Sequence, residues 1–155
     1  MDIINQIMDR IRILCIEWGK KKLGLAISDP FNSYAIPLKP LINNENLNWQ
    51  LIKIIKEYRI NLIVIGYPLL ENNQESSICK VVKNFSEILK NELIKEKINA
   101  QICFQNEFYS TKNAKNIANS FESSKKSWEI FKDSYSAKVI LEDYLFENLC
   151  KKKNQ

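Results

Sequence analysis

Ile11-Arg12-Ile13-Leu14-Cys15-Ile16-Glu17-Trp18-Gly19-Lys20-Lys21-Lys22-Leu23-Gly24-Leu25-Ala26-Ile27-Ser28-Asp29 holds two apolar runs separated by a basic turn. The first run reads as a strand and stops at an acid, Glu17, and the second leads to Asp29. Glycines at both shoulders of the turn, Gly19 and Gly24, suit a β-hairpin. They do not account for a carboxylate at the end of a hydrophobic strand. Buried there without a partner, a hydrogen bond or a metal, it would cost roughly several kcal/mol. Glu17 therefore has two readings, a strand-end acid turned into water or a member of a site. Asp29, at the opposite end of the second strand, reads as a turn residue.

Working outward, Tyr34 to Leu38 reads as a third short strand, ended by Pro37 and Pro40. Leu47, Leu51, Ile54, Ile55 and Tyr58 then fall on one face of a helix. Leu62 to Gly66 is a short unbroken run rich in branched residues, the pattern of a parallel strand covered on both faces. A long amphipathic helix follows, with Ile78, Val81, Val82, Phe85, Ile88, Leu89 and Leu93 expected inward. Ala100 to Phe104 reads as the last strand and leads into Gln105-Asn106-Glu107. Ser110 or Thr111 can cap a helix carrying Ala114, Ile117, Ala118 and Phe121. The polar stretch 122–127 reads as a mobile loop, and a final helix is expected from about Phe131. This order predicts an α/β fold with a mixed five-stranded sheet: three antiparallel strands, then parallel β-α-β units, with helices on both faces. Right-handed crossovers place the two later strands beside the first. The expected organisation is a short extension over 1–10, one domain over 11–149 and a basic tail over 150–155.

Composition narrows the chemistry. The chain has 155 residues, 45% hydrophobic and 26% charged, which suits one soluble domain with a proper core. No apolar run approaches the roughly 20 residues of a membrane span, and the first ten residues do not form a secretory signal. Histidine is absent, which removes Ser-His-Asp and Cys-His catalysis and histidine-bearing zinc sites. Cys15, Cys79, Cys103 and Cys150 are too dispersed for a Cys-x-x-Cys site. Cys15 and Cys103 lie in apolar runs and are expected to be buried thiols in a reducing, cytoplasmic setting. The net charge of +5 permits a phosphate-rich partner. The clusters Lys20-Lys21-Lys22, Lys125-Lys126 and Lys151-Lys152-Lys153 each read equally as solvated surface.

The expected topology sends the strands ending at Glu17 and near Glu107 in the same direction, so both acids reach one rim, where open α/β sheets place ligands. On the final helix Asp133, Ala137, Ile140 and Tyr144 share a face, which aims Asp133 toward that rim or leaves it as a helix cap. Three converging carboxylates repel unless a cation neutralises them, and hard oxygen ligands select Mg²⁺ or Mn²⁺. Such a site can orient water and stabilise a phosphodiester transition state.

These motifs resemble the YqgF (RuvX) family, Holliday-junction-resolvase-like proteins of the RNase H superfamily, from about Arg12 to Leu145. Ile16-Glu17-Trp18-Gly19-Lys20-Lys21-Lys22-Leu23-Gly24 is similar to the family's opening Asp-aromatic-Gly signature. Ile63-Val64-Ile65-Gly66-Tyr67-Pro68-Leu69 is similar to its Ile-Val-Val-Gly-Leu-Pro-Leu strand, and Asn106-Glu107-Phe108-Tyr109-Ser110-Thr111 to its Asp-Glu-Arg-Leu-Ser-Thr. The stretch from Asp133 to Leu141 resembles its closing helix. The resemblance implies an RNase H-like fold and a cytoplasmic, metal-dependent nuclease that matures the 5′ end of pre-16S rRNA, with resolvase activity on branched DNA as an alternative. It carries the catalytic and metal-binding roles to Glu17, Glu107 and Asp133. Lys20, Lys21 and Lys22, with Ser110 and Thr111 at a helix N-terminus, are the expected phosphate contacts. No small-molecule cofactor and no membrane partner is implied. Glu17 stands for the family's Asp, Asn106 for its Asp and Phe108 for its Arg, and Leu70 follows Pro-Leu in place of Asn. These departures support a second reading, an RNA-binding ribosome-assembly factor without turnover. A sugar-kinase or actin-like ATPase needs two such lobes, and the chain supplies one.

Overall fold

In the computed structural model, which describes Ile3, residues 11–106 and residues 125–153, the opening hairpin is formed by β1 (Arg12–Glu17) and β2 (Lys22–Ser28). There follow β3 (Ala35–Ile42), α1 (Leu47–Glu57), β4 (Ile60–Tyr67), α2 (Ser77–Lys95), β5 (Gln101–Asn106) and α3 (Lys125–Lys153). The sheet order is β3-β2-β1-β4-β5, with β1, β2 and β3 antiparallel in sequence and β4 and β5 parallel to β1. The predicted mixed sheet is therefore present, with both later strands beside the first.

Period-two alternation divides the sheet into two cores. Leu14 and Ile16 of β1, with Leu23, Leu25, Ile63 and Ile65, pack under α1 and α2. Ile13 and Cys15, with Ala26 and Val64, pack under Ala137, Ile140 and Leu141 of α3. Helices thus cover both faces, which is why β1 and β4 read as unbroken apolar runs. Among the described residues no helix is long and apolar enough to cross a membrane.

The third strand departs from expectation. It extends through Pro37 and Pro40 to Ile42 instead of stopping at them. β3 is an edge strand, where a missing N–H costs least. Pairing also steps from Leu23↔Leu41 to Leu25↔Leu38, so Lys39 and Pro40 together oppose Gly24 in a bulge that absorbs the second proline.

Other boundaries shift as well. On α2, Ile78, Val81 and Ile88 are exposed rather than inward, while Cys79 and Ser86 are buried. Ser86 can turn inward because its hydroxyl donates to the Lys83 carbonyl at 2.7 Å. α3 begins at Lys125, inside the stretch read as a loop, and continues into the basic run 151–153. Cys15 is fully buried, but Cys103 is only half-buried because β5 is the other edge of the sheet. Cys15, Cys79 and Cys103 are thiols and not disulfide-bonded to one another. The helix expected after Thr111 lies outside the described residues.

Candidate nucleic-acid processing site

The alternation that buries Ile13 and Cys15 under α3 carries Glu17 to the same face of the sheet at the strand's end. Glu17 is half-buried and pairs across the hairpin with Gly24. A Cβ on Gly24 would lie 2.0 Å from the carbonyl oxygen of Asp133, so the missing side chain is what lets α3 approach β2 there. Leu25 N–H donates to the buried Ser134 hydroxyl at 3.1 Å, fastening the helix to the strand one residue further on. Through Gly24 the structure brings Glu17 and Asp133 to one corner of the rim. The parallel register carries β4 and β5 to that rim too, at Tyr67 and Asn106. Glu107, next in the chain, lies outside the described residues, as do Ser110 and Thr111.

The hairpin turn is held from below. A Cβ on Gly19 would lie 2.3 Å from the Lys22 carbonyl oxygen, so the turn closes only on glycine. Asn43 Nδ2 donates to the Gly19 carbonyl and Asn43 N–H to the Lys21 carbonyl, both at 2.9 Å. Lys20, Lys21 and Lys22 are all exposed on this braced turn. They do not play one part, however. Lys22 Nζ lies 3.7 Å from Asp133 Oδ2, with both side chains about half exposed (51% and 41%). So exposed a pair contributes at most about 1 kcal/mol, and Asp133 stays accessible to a stronger cation.

Lys21, Lys22, Lys132 and Asp133 line an open cleft of about 410 Å³. Lys132 was not singled out in the sequence. Its Nζ bonds Glu129 Oε2 at 3.0 Å, and that bond, with the charges of Glu129 and Asp133, holds its pKa above the usual lysine value. Its position beside Asp133 was the available signal. Asp29 is the turn residue expected. It is buried, and its carboxylate accepts N–H groups from Phe31, Ser33 and Tyr34.

Among the described residues no three His, Cys, Asp or Glu side chains gather as a metal site. The described part of the corner supplies two carboxylates, hard oxygen donors with lysines beside an open cleft. That donor set fits a hard divalent cation and offers nothing to a soft one.

The family model described as RuvX, Holliday junction resolvase, matches residues 11–147. Proteins named "Putative pre-16S rRNA nuclease" match along most of their length. The one from Mycoplasma mobile is 37% identical over 92% of this chain and 97% of its own. The one from Malacoplasma penetrans is 36% identical over 86% and 93%. Among solved structures, T. thermophilus RuvC in complex with a Holliday junction substrate superposes with a TM-score of 0.55 at 10% identity, covering 90% of this chain and 96% of that one. The fowlpox virus Holliday junction resolvase gives 0.51 at 11% identity, covering 88% and 99%. At these identities the structures establish the RNase H-like fold alone.

Proposed function

The chain belongs to the RuvX Holliday junction resolvase family, and we propose that it is a divalent-metal-dependent endonuclease that trims the 5′ end of pre-16S rRNA in the cytoplasm. The observation that carries this reading is the Gly24 contact, which sets Asp133 of α3 against the cross-strand partner of Glu17. The names of the relatives support rRNA as the substrate. Glu17, Glu107 and Asp133 would hold Mg²⁺ or Mn²⁺. When bound, the metal supplies positive charge to a phosphate in transit and to the leaving oxygen.

The chain's own residues do the rest. Lys21 and Lys132 flank the cleft and draw the backbone in, with Lys20 on the exposed turn beside them. Ser110 and Thr111 complete the proposed phosphate contacts. Lys22 neutralises the Asp133 carboxylate, an oxygen donor that would be available to a bound metal.

The test is cleavage of an RNA spanning the 16S precursor 5′ end, with and without Mn²⁺, by the wild type and by Asp133→Asn. Metal-dependent cutting that falls at least about a hundredfold in the variant supports the reading. A wild type that binds this RNA and does not cut it moves the assignment to an assembly factor, the reading that Glu17, Asn106 and Phe108 favour. A four-way DNA junction as parallel substrate separates rRNA processing from junction resolution.

A further inference from the structure

Behind the hairpin turn, on the sheet face opposite Glu17, lies a second cleft of about 300 Å³. Trp18, Asn43, Asn48, Asn84, Val81 and Ile88 are among its walls. Trp18 follows Glu17 directly in the chain but packs against the core under α1 and α2, whereas Glu17 faces α3. Val81 and Ile88 are two of the three α2 residues that periodicity placed inward and the structure leaves exposed. Glu45 is the one acid among the lining residues, and no lysine or arginine is among them. A phosphate would find no counter-charge there.

An uncharged planar group carrying donors and acceptors would find an indole, apolar walls that include Val81 and Ile88, and a set of carboxamides. Each carboxamide offers both kinds of hydrogen-bonding group. Resting on the proposed nuclease reading, we infer that this cleft receives one unpaired nucleobase of the RNA strand whose phosphate lies at Glu17. The base stacks on Trp18 and is read by the asparagine amides.

The geometry demands that the base be unpaired. Phosphate and base lie on opposite faces of the sheet rim, so the strand must cross the rim, and a base held in a duplex stack cannot reach across. Asn43 also ties the two sites together, because it lines this cleft and braces the turn through Gly19 and Lys21. The neighbouring groove around Trp49 is a poorer candidate. It is lined by three glutamates and three lysines, with Lys56 paired with Glu96 at 2.8 Å and Lys95 with Glu92 at 3.9 Å, so an uncharged base there would meet charged groups on most sides.

The test uses the full chain with Trp49→Phe and Trp128→Phe, leaving Trp18 as the sole indole. Its fluorescence is titrated with a short single-stranded RNA and with the same RNA annealed to its complement, in the absence of metal. The expected result is quenching by the single strand and little by the duplex. In the otherwise wild-type chain, Trp18→Leu and Asn84→Ala should each weaken single-strand binding, the former by about tenfold, while Trp49→Leu should not. Asn84 is exposed, so its truncation keeps the test open if Trp18→Leu misfolds. Equal quenching by the duplex, or unchanged affinity in both cleft variants, overturns the inference. If the wild type still cuts RNA with metal, that failure leaves the nuclease standing. A wild type that neither binds nor cuts RNA overturns both.

Discussion

Gly24 touches two elements at once, so a single methyl group there tests the corner. The atom it would strike is a backbone oxygen of Asp133, which cannot swing aside as a side chain can. Gly24→Ala is expected to lower stability by about 1–3 kcal/mol, read from the denaturant midpoint. Metal-dependent cleavage should fall further than the loss of folded protein explains, because α3 must retreat from Glu17's partner. Asp29 sets the opposite end of the hairpin. Burial alone would raise its pKa, but the N–H groups of Tyr34, Ser33 and Phe31 and the charge of Arg12 outweigh it, leaving the value below the usual 3.8. A depressed pKa gives stability that is present above the unfolded value and lost as pH falls through the folded one. The stability advantage of wild type over Asp29→Asn should therefore be steady above about pH 5 and shrink below about pH 4, followed by thermal unfolding across that range. Asp29's role was readable because its hydrogen-bond donors lie within five residues. The Lys22–Asp133 pair was not, because a hairpin and a distant helix must first dock before the two charges meet.

Between elements, the joint that matters is α3 on β2. Ser134→Ala would leave the buried Leu25 N–H without its acceptor. The expected cost is about 1–3 kcal/mol in chemical denaturation, with a parallel weakening of cleavage because Asp133 is the adjacent residue. The strands and their order were legible because branched apolar runs and short connections leave few topologies open. Pro37 and Pro40 were misread as a stop, since a sequence does not disclose which strand lies at the edge or where a bulge falls. Ile78, Val81 and Ile88 were misread for a related reason. The apolar stripe of α2 is wider than the face it buries, and Val81 and Ile88 on its outer margin line a cleft. Of the candidate site, the corner of Glu17 and Asp133 was legible from strand direction and helix phase. The separate part of Lys22, the contribution of Lys132 and the Trp18 cleft required the packed structure.

The molecule as a whole carries a net charge of +5, and Lys21, Lys22 and Lys132 line the proposed site. RNA binding should weaken linearly on a log–log plot against salt. Lys21→Ala should flatten that slope by about one unit without altering sequence preference, measured by filter binding over a salt series. The contact of Gly24 with α3 has a further consequence, in the order in which the chain is made. α3 is translated after every strand it covers, and at about 5–20 residues per second the hairpin exists on the order of ten seconds before Asp133 does. During that interval Glu17 is present without its helical counterpart. A protein whose proposed substrate is part of a ribosome precursor thus assembles its proposed cutting corner only once α3 has left the tunnel, and a half-made chain lacks that corner.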